Sequence, residues 1–196
     1  MKRKFEKVES MEPLSQLEYA IDAQQEITDE LLNPAVRDGT YLGHGVEGDA
    51  YLCGNWVIKS FYKKKNRETE ENAHLDIWRR LSPECKQYVC QPIKVNSEKF
   101  TLQRVAREDG WGNVNLAHLF TPEDIPLEIE TEIKNAELCL KEAGYVHNDL
   151  YSTVYDGKTN RYLKRYNNIV LLWRESSLHE VLYTVKFIDF GHATKF

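Results

Sequence analysis

The sequence predicts an α+β protein, rich in strands in its first half and carrying a longer helix in its second. Three observations predict it. Short apolar runs bounded by glycine and asparagine recur from Gly39 onward. Two stretches, about 67–81 and 129–143, carry apolar residues at helical spacing. Three further short apolar runs close the chain. Period-2 and period-3.6 patterns in succession place strands beside helices. With 196 residues, 41% apolar and 29% charged, the chain can bury a core and fits one domain or two small lobes.

Taken in order, residues 1–38 are polar. Leu14, Leu17, Ile21, Ile27 and Leu31 recur at helical spacing, with Tyr19 and Leu32 off that face. This predicts a marginal helical extension, with a packed helix or a partner-binding arm as alternatives. Residues 40–42, 50–53 and 55–61 read as three strands, with Gly54-Asn55 as the turn before the third. Leu75, Trp78 and Leu81 mark the apolar face of the first long helix, which Ser82-Pro83 ends. Residues 88–95 and 100–105 read as a hairpin pair around Asn96-Ser97, and 106–121 as loop. The second helix has a periodic part from Ile129 to Ala143, with Gly144 as its C-cap. Strands are expected at 145–146, 169–173 and 181–188.

Bulk properties exclude several classes. A net charge of −5 argues against nucleic acid as the main partner. Lys63, Lys64, Lys65 and Arg67 read as a solvated basic loop. The absence of a long apolar run predicts no membrane span, and the charged start Met1-Lys2-Arg3-Lys4 predicts no leader peptide. Cys53, Cys85, Cys90 and Cys139 form no C-x-x-C pair. They are expected to be reduced thiols in a cytoplasmic or otherwise intracellular protein.

Four motifs carry chemistry. Gly43-His44-Gly45-Val46-Glu47-Gly48 fits G-x-G-x-x-G and leads into a strand rather than a helix. Glycines there allow close backbone approach to phosphates and positive φ. Lys59 lies in Val57-Ile58-Lys59, eleven residues after Gly48. His147-Asn148-Asp149 is an H-x-D, and Asp189-Phe190-Gly191 is a D-F-G behind the apolar residues Val185, Phe187 and Ile188. Between them, Asn168 opens the run Ile169-Val170-Leu171-Leu172.

In this order the motifs resemble the protein-kinase-like superfamily, which includes small-molecule kinases such as those acting on aminoglycosides. The resemblance covers about residues 39–196, as a two-lobed fold with a strand-rich N-lobe at about 39–105 and a much reduced helical C-lobe at about 106–196. The chain stops seven residues after Asp189, in a small form that lacks most of a substrate lobe.

The resemblance implies an ATP-dependent phosphotransferase using Mg2+. Asp149 would be the catalytic carboxylate and His147 would fix the loop. Asn168 and Asp189 would hold the metal, and Gly43, Gly45, Gly48 and Lys59 would bind the nucleotide. The lysine's acidic partner is expected to be Glu71, which shares a face with Leu75 and Trp78, with Glu70, Glu68 or His74 as alternatives. Asn148 stands where the family has arginine.

The pattern departs from the family at the metal asparagine. The expected position, five residues after Asp149, is Val154, and Asn168 lies nineteen residues after it. The intervening polar insert, about 152–165, is either a loop bulging from the surface, which costs little closure entropy, or an artefact of the gene model. The acceptor would be a protein Ser or Thr hydroxyl or a small-molecule hydroxyl, for which Glu108, Asp109 and Trp111 offer a pocket. An activating protein partner could supply the missing surface. A non-catalytic ATP-binding module is the remaining reading.

Overall fold

The computed structural model describes residues 12–105, 112–116, 124–157, 160–175 and 181–196. It is α+β, with four helices and twelve strands among these residues. The contacts divide the chain into two compact units, Met1–Glu68 with Pro92–Arg104 and Thr69–Gln91 with Val105–Phe196.

The first unit is a five-stranded sheet with two helices. Strands β1 (Thr40–His44), β2 (Gly48–Cys53), β3 (Trp56–Phe61), β4 (Gln91–Ile93) and β5 (Phe100–Arg104) lie in the order β1-β2-β3-β5-β4. The three expected strands are all present. Gly54, at φ +58°, supplies the left-handed turn between β2 and β3. The segment expected to begin a strand at Tyr88 instead has a 3-10 turn, Cys85–Tyr88, before β4.

Helices α1 (Pro13–Asp22) and α2 (Asp29–Asp38) correct the expectation of a marginal extension. Leu17, Ala20, Ile27, Leu32 and Ala35 are buried in one cluster with Trp56, Ile58, Phe100 and Leu102 of the sheet. Leu32, off the face of the continuous periodicity, is fully buried because the chain breaks between the helices and α2 starts a new face. The break is held to the sheet by the Asn96 amide, which donates to the Ile27 carbonyl at 2.8 Å.

Helix α3 (Lys64–Arg80) follows β3. Its buried line runs through Arg67, Glu70, His74 and Ile77 to Leu81. Leu75 and Trp78 are only half-buried.

In the second unit, helix α4 (Leu127–Glu142) buries Ile129, Ile133, Ala136 and Leu140. It ends at Gly144, φ +83°, whose amide donates to Lys141. Strands β10 (Ile169–Glu175) and β11 (Val181–Phe187) pair antiparallel from Ile169↔Phe187 outward. A strand read as loop, β6 (Gly112–Asn115), completes that sheet on the far side of β10. Its sequence is short and begins with glycine, so pairing rather than propensity makes it a strand. Leu116, Ile129, Ile133, Ile169, Leu171, Val185, Phe187 and Phe190 share the core of this unit.

The described residues of the insert are paired strands. Strands β8 (Tyr151–Asp156) and β9 (Arg161–Tyr166) form a hairpin in unbroken register from Tyr151↔Tyr166 to Asp156↔Arg161. The short strands β7 (Tyr145–Val146) and β12 (Thr194–Lys195) pair with each other.

The expectation that all four cysteines are thiols is corrected. Cys85 and Cys139 form a disulfide between the 3-10 turn and α4, whereas Cys53 and Cys90 are free and buried. Spacing could not reveal this, because the two sulfurs meet only through packing across 54 residues. It also removes the cysteine argument for a reducing compartment. Among the described residues, no helix is long and apolar enough to cross a membrane.

Candidate active site

The second unit brings three of the expected residues together. Asp149 follows β7, Asn168 opens β10 and Asp189 follows β11. The hairpin closes the gap between the first two. The Asn167 amide donates to the Leu150 carbonyl at 2.9 Å, joining its two ends. Asn168 Nδ2 then donates to both the Asp149 carbonyl oxygen and Asp149 Oδ2, each at 3.0 Å. Both bonds use the amide nitrogen of Asn168 and leave Oδ1 to accept. The β10–β11 pairing brings in Asp189, because the Ile188 amide donates to the Asn168 carbonyl at 3.0 Å.

His147 ties the H-x-D segment to the end of β11. It is 2% exposed, and its Nε2 donates to the Ile188 carbonyl at 2.8 Å. Burial lowers its pKa, so it is a neutral, oriented strut. Its ring lies 4.9 Å from Phe190, and the His74 ring lies 4.7 Å from Phe190. His74 is also buried, accepting burial as a neutral ring whose pKa falls to about 4, and its Nε2 bonds the Cys90 carbonyl at 2.7 Å. The D-F-G phenylalanine is thus in ring contact with two neutral histidines.

Three residues here hold left-handed backbone conformations, Asn148 at φ +64°, Asn168 at +55° and Asp189 at +60°. Asparagine and aspartate tolerate this region better than other side chains, but it remains uncommon outside glycine. Among the described residues, two of the five such non-glycine residues lie elsewhere, and three fall in one site. Concentrated strain of this kind marks sites whose geometry the surrounding fold imposes. Asn148 has a structural task that its sequence did not announce. Its Nδ2 donates to the His192 carbonyl at 3.0 Å and to Thr194 Oγ1 at 2.9 Å, holding the segment after Gly191.

A second unforeseen anchor is Asp76 of α3. It accepts from the Tyr145 hydroxyl at 2.6 Å, Arg80 Nε at 2.9 Å and Lys195 Nζ at 3.3 Å. Tyr145 first, then Arg80, hold its carboxyl well below the usual carboxylate range. The helix, β7 and β12 therefore converge on one carboxylate at the base of the H-x-D segment.

The other expected residues lie in the first unit or on α3. Gly43 ends in β1, Gly45 lies in the turn and Gly48 starts β2, so the glycine motif is a β-hairpin, as its sequence context predicted. The expected reason differs. None of the three has positive φ. Gly48 is required by close approach, because a Cβ there would lie 2.1 Å from the Ser60 carbonyl oxygen. Lys59 is in the central strand β3, between Ala50 and Thr101, and only 6% exposed. On α3, the three candidate acids differ in burial. Glu70 is 1% exposed on the buried line, Glu71 is half-buried and Glu68 is exposed. Glu108, Asp109 and Trp111 lie outside the described residues.

No protein-family model matches the chain, and no curated protein matches it.

Proposed function

We propose that this protein is an ATP-dependent phosphotransferase with a two-lobed, protein-kinase-like fold, acting as a minimal Ser/Thr kinase. The observation that carries this reading is the contact between Asn168 and Asp149 across an inserted hairpin. A random H-x-D and a random asparagine nineteen residues later have no reason to meet side chain to side chain. Here a complete β-hairpin returns the chain so that they do.

In this reading Asp149 orients the acceptor hydroxyl and takes up its proton. Asn168 fixes the Asp149 carboxylate by its amide nitrogen and offers Oδ1, with Asp189, to the metal. Bound Mg2+ would neutralise charge on the transferring phosphoryl group. The Gly43–Gly48 turn and Lys59 supply backbone amides and a cation for the phosphates, and Glu70 rather than Glu71 is the acid to test as the lysine's partner. His147 and Asn148 act as positioning residues.

The test is Mg2+-dependent transfer of the ATP γ-phosphate to protein and small-molecule acceptors. Asp149→Asn, which keeps the size and a hydrogen-bonding group, is expected to lose about 10²–10⁴ in rate while retaining nucleotide binding. Unchanged turnover in that variant would remove Asp149 as the base.

A further inference from the structure

The β8–β9 hairpin does more than return the chain. It is a two-stranded sheet with no third strand among the described residues. The tilted rings of Tyr151 and Tyr166 lie 5.4 Å apart at its root, against the core of the second unit. Beyond them the ribbon is solvent-exposed, with Val154, Tyr155, Arg161, Tyr162 and Arg165 all exposed. Residues 151–166 carry four Lys and Arg against one Asp, in a chain whose net charge is −5. Along a strand, residues four apart share a face and lie about 13 Å apart. Arg161 and Arg165 are so placed on β9, Arg161 opposite Asp156 and Arg165 opposite Ser152, with the half-buried Leu163 between them and its partner Val154 alongside. The ribbon therefore presents a cation, an apolar step and a second cation, rooted between Leu150 and Asn167 beside Asp149.

We propose that this hairpin docks an extended acidic peptide, which adds as a third strand along β9 and delivers its hydroxyl residue to Asp149. Main-chain pairing to an open strand edge supplies affinity, and alternate side chains supply specificity. The matching pattern is an acidic residue, an apolar residue two positions on and a second acidic residue two further. Charge complementarity selects this occupant. A short acidic peptide meets the basic ribbon alone, whereas a long polyanion would also meet the negative remainder of the chain. The delivery of a hydroxyl rests on the phosphotransferase reading; the docking does not.

The experiment measures binding of a fluorescein-labelled peptide, one serine followed by alternating glutamate and leucine, by anisotropy at low salt. The same peptide with lysine for glutamate and a single-stranded oligonucleotide are run beside it. Arg161→Glu/Arg165→Glu is expected to weaken the acidic peptide about tenfold, with Arg161→Gln/Arg165→Gln intermediate and the difference shrinking as salt rises. Circular dichroism establishes that both variants keep their fold, and the glutamine variant alone decides the matter should charge reversal unfold the chain. Equal binding by wild type and variants, no binding by wild type, or tighter binding of the oligonucleotide would overturn the proposal. A KM for the serine that rises in parallel with Kd, at unchanged kcat, ties docking to transfer. Arginine-dependent binding without any transfer would keep the docking surface and remove the phosphotransferase reading.

Discussion

Asn168 sits nineteen residues beyond Asp149 and yet hydrogen-bonds it twice. Its left-handed backbone permits a clean test, because glycine adopts the same φ without strain. Asn168→Gly removes only the amide. Transfer is expected to fall about 10²-fold through a misplaced Asp149, with stability changed by about 1 kcal/mol for the lost hydrogen bonds; rate assays and urea melts on one preparation measure both. His74 makes a second prediction. Its pKa drops from 6.5 to about 4 because burial disfavours the imidazolium. Below pH 6.5 the unfolded chain therefore binds a proton that the fold refuses. Stability is complete above that pH and declines as the pH falls toward 4, by about 3 kcal/mol. His147, lowered in the same direction, adds to the loss. Urea midpoints across this range should fall, and His74→Leu should flatten the slope. At this scale the motif residues were legible because their chemistry is carried by local order in the chain. The buried face of α3 was not, because Leu75 and Trp78 look more apolar than Arg67 and His74, although the latter line that face. The tasks of Asn148 and Asp76 were hidden because their partners, Thr194 and Tyr145, come from distant segments.

The elements divide along a similar line. Strands β1 to β3 could be read directly, since Gly54-Asn55 fixes the turn and β-rich runs flank it. Helices α1 and α2 merged into one marginal pattern, since nothing local shows that the chain breaks after Asp22 and buries a new face. The insert could be read only as polar, because a ribbon exposed on both sides lacks clean alternation. Its structure makes it separable. Replacing residues 152–165 by a short turn should leave Asn167 and Leu150 free to pair, and should change stability by no more than about 1 kcal/mol, because loop closure depends weakly on length. A melt that collapses on excision would show that the ribbon supports the unit. The Cys85–Cys139 bridge behaves differently. It closes a loop of 54 residues, for which chain entropy gives about 4 kcal/mol. Dithiothreitol should lower the urea midpoint of the wild type and leave Cys85→Ala/Cys139→Ala unmoved.

For the whole molecule, the α+β class follows from the succession of patterns, and the division into two compact units agrees with a chain of this length holding two cores. The first unit holds the glycine hairpin and a buried lysine, and the second holds the Asp149–Asn168 contact and the D-F-G segment. Sequence could give the order of these motifs but not whether the insert kept Asn168 in place, because that depends on β8 pairing with β9 in full register. The most direct measurement of the central claim is γ-phosphate transfer from radiolabelled ATP with Mg2+, comparing wild type with Asp149→Asn and Asp189→Ala. The account predicts transfer by the wild type, lost in both variants, with ATP binding retained in Asp149→Asn. Binding or transfer indifferent to both substitutions, or none at all by the wild type, would contradict it.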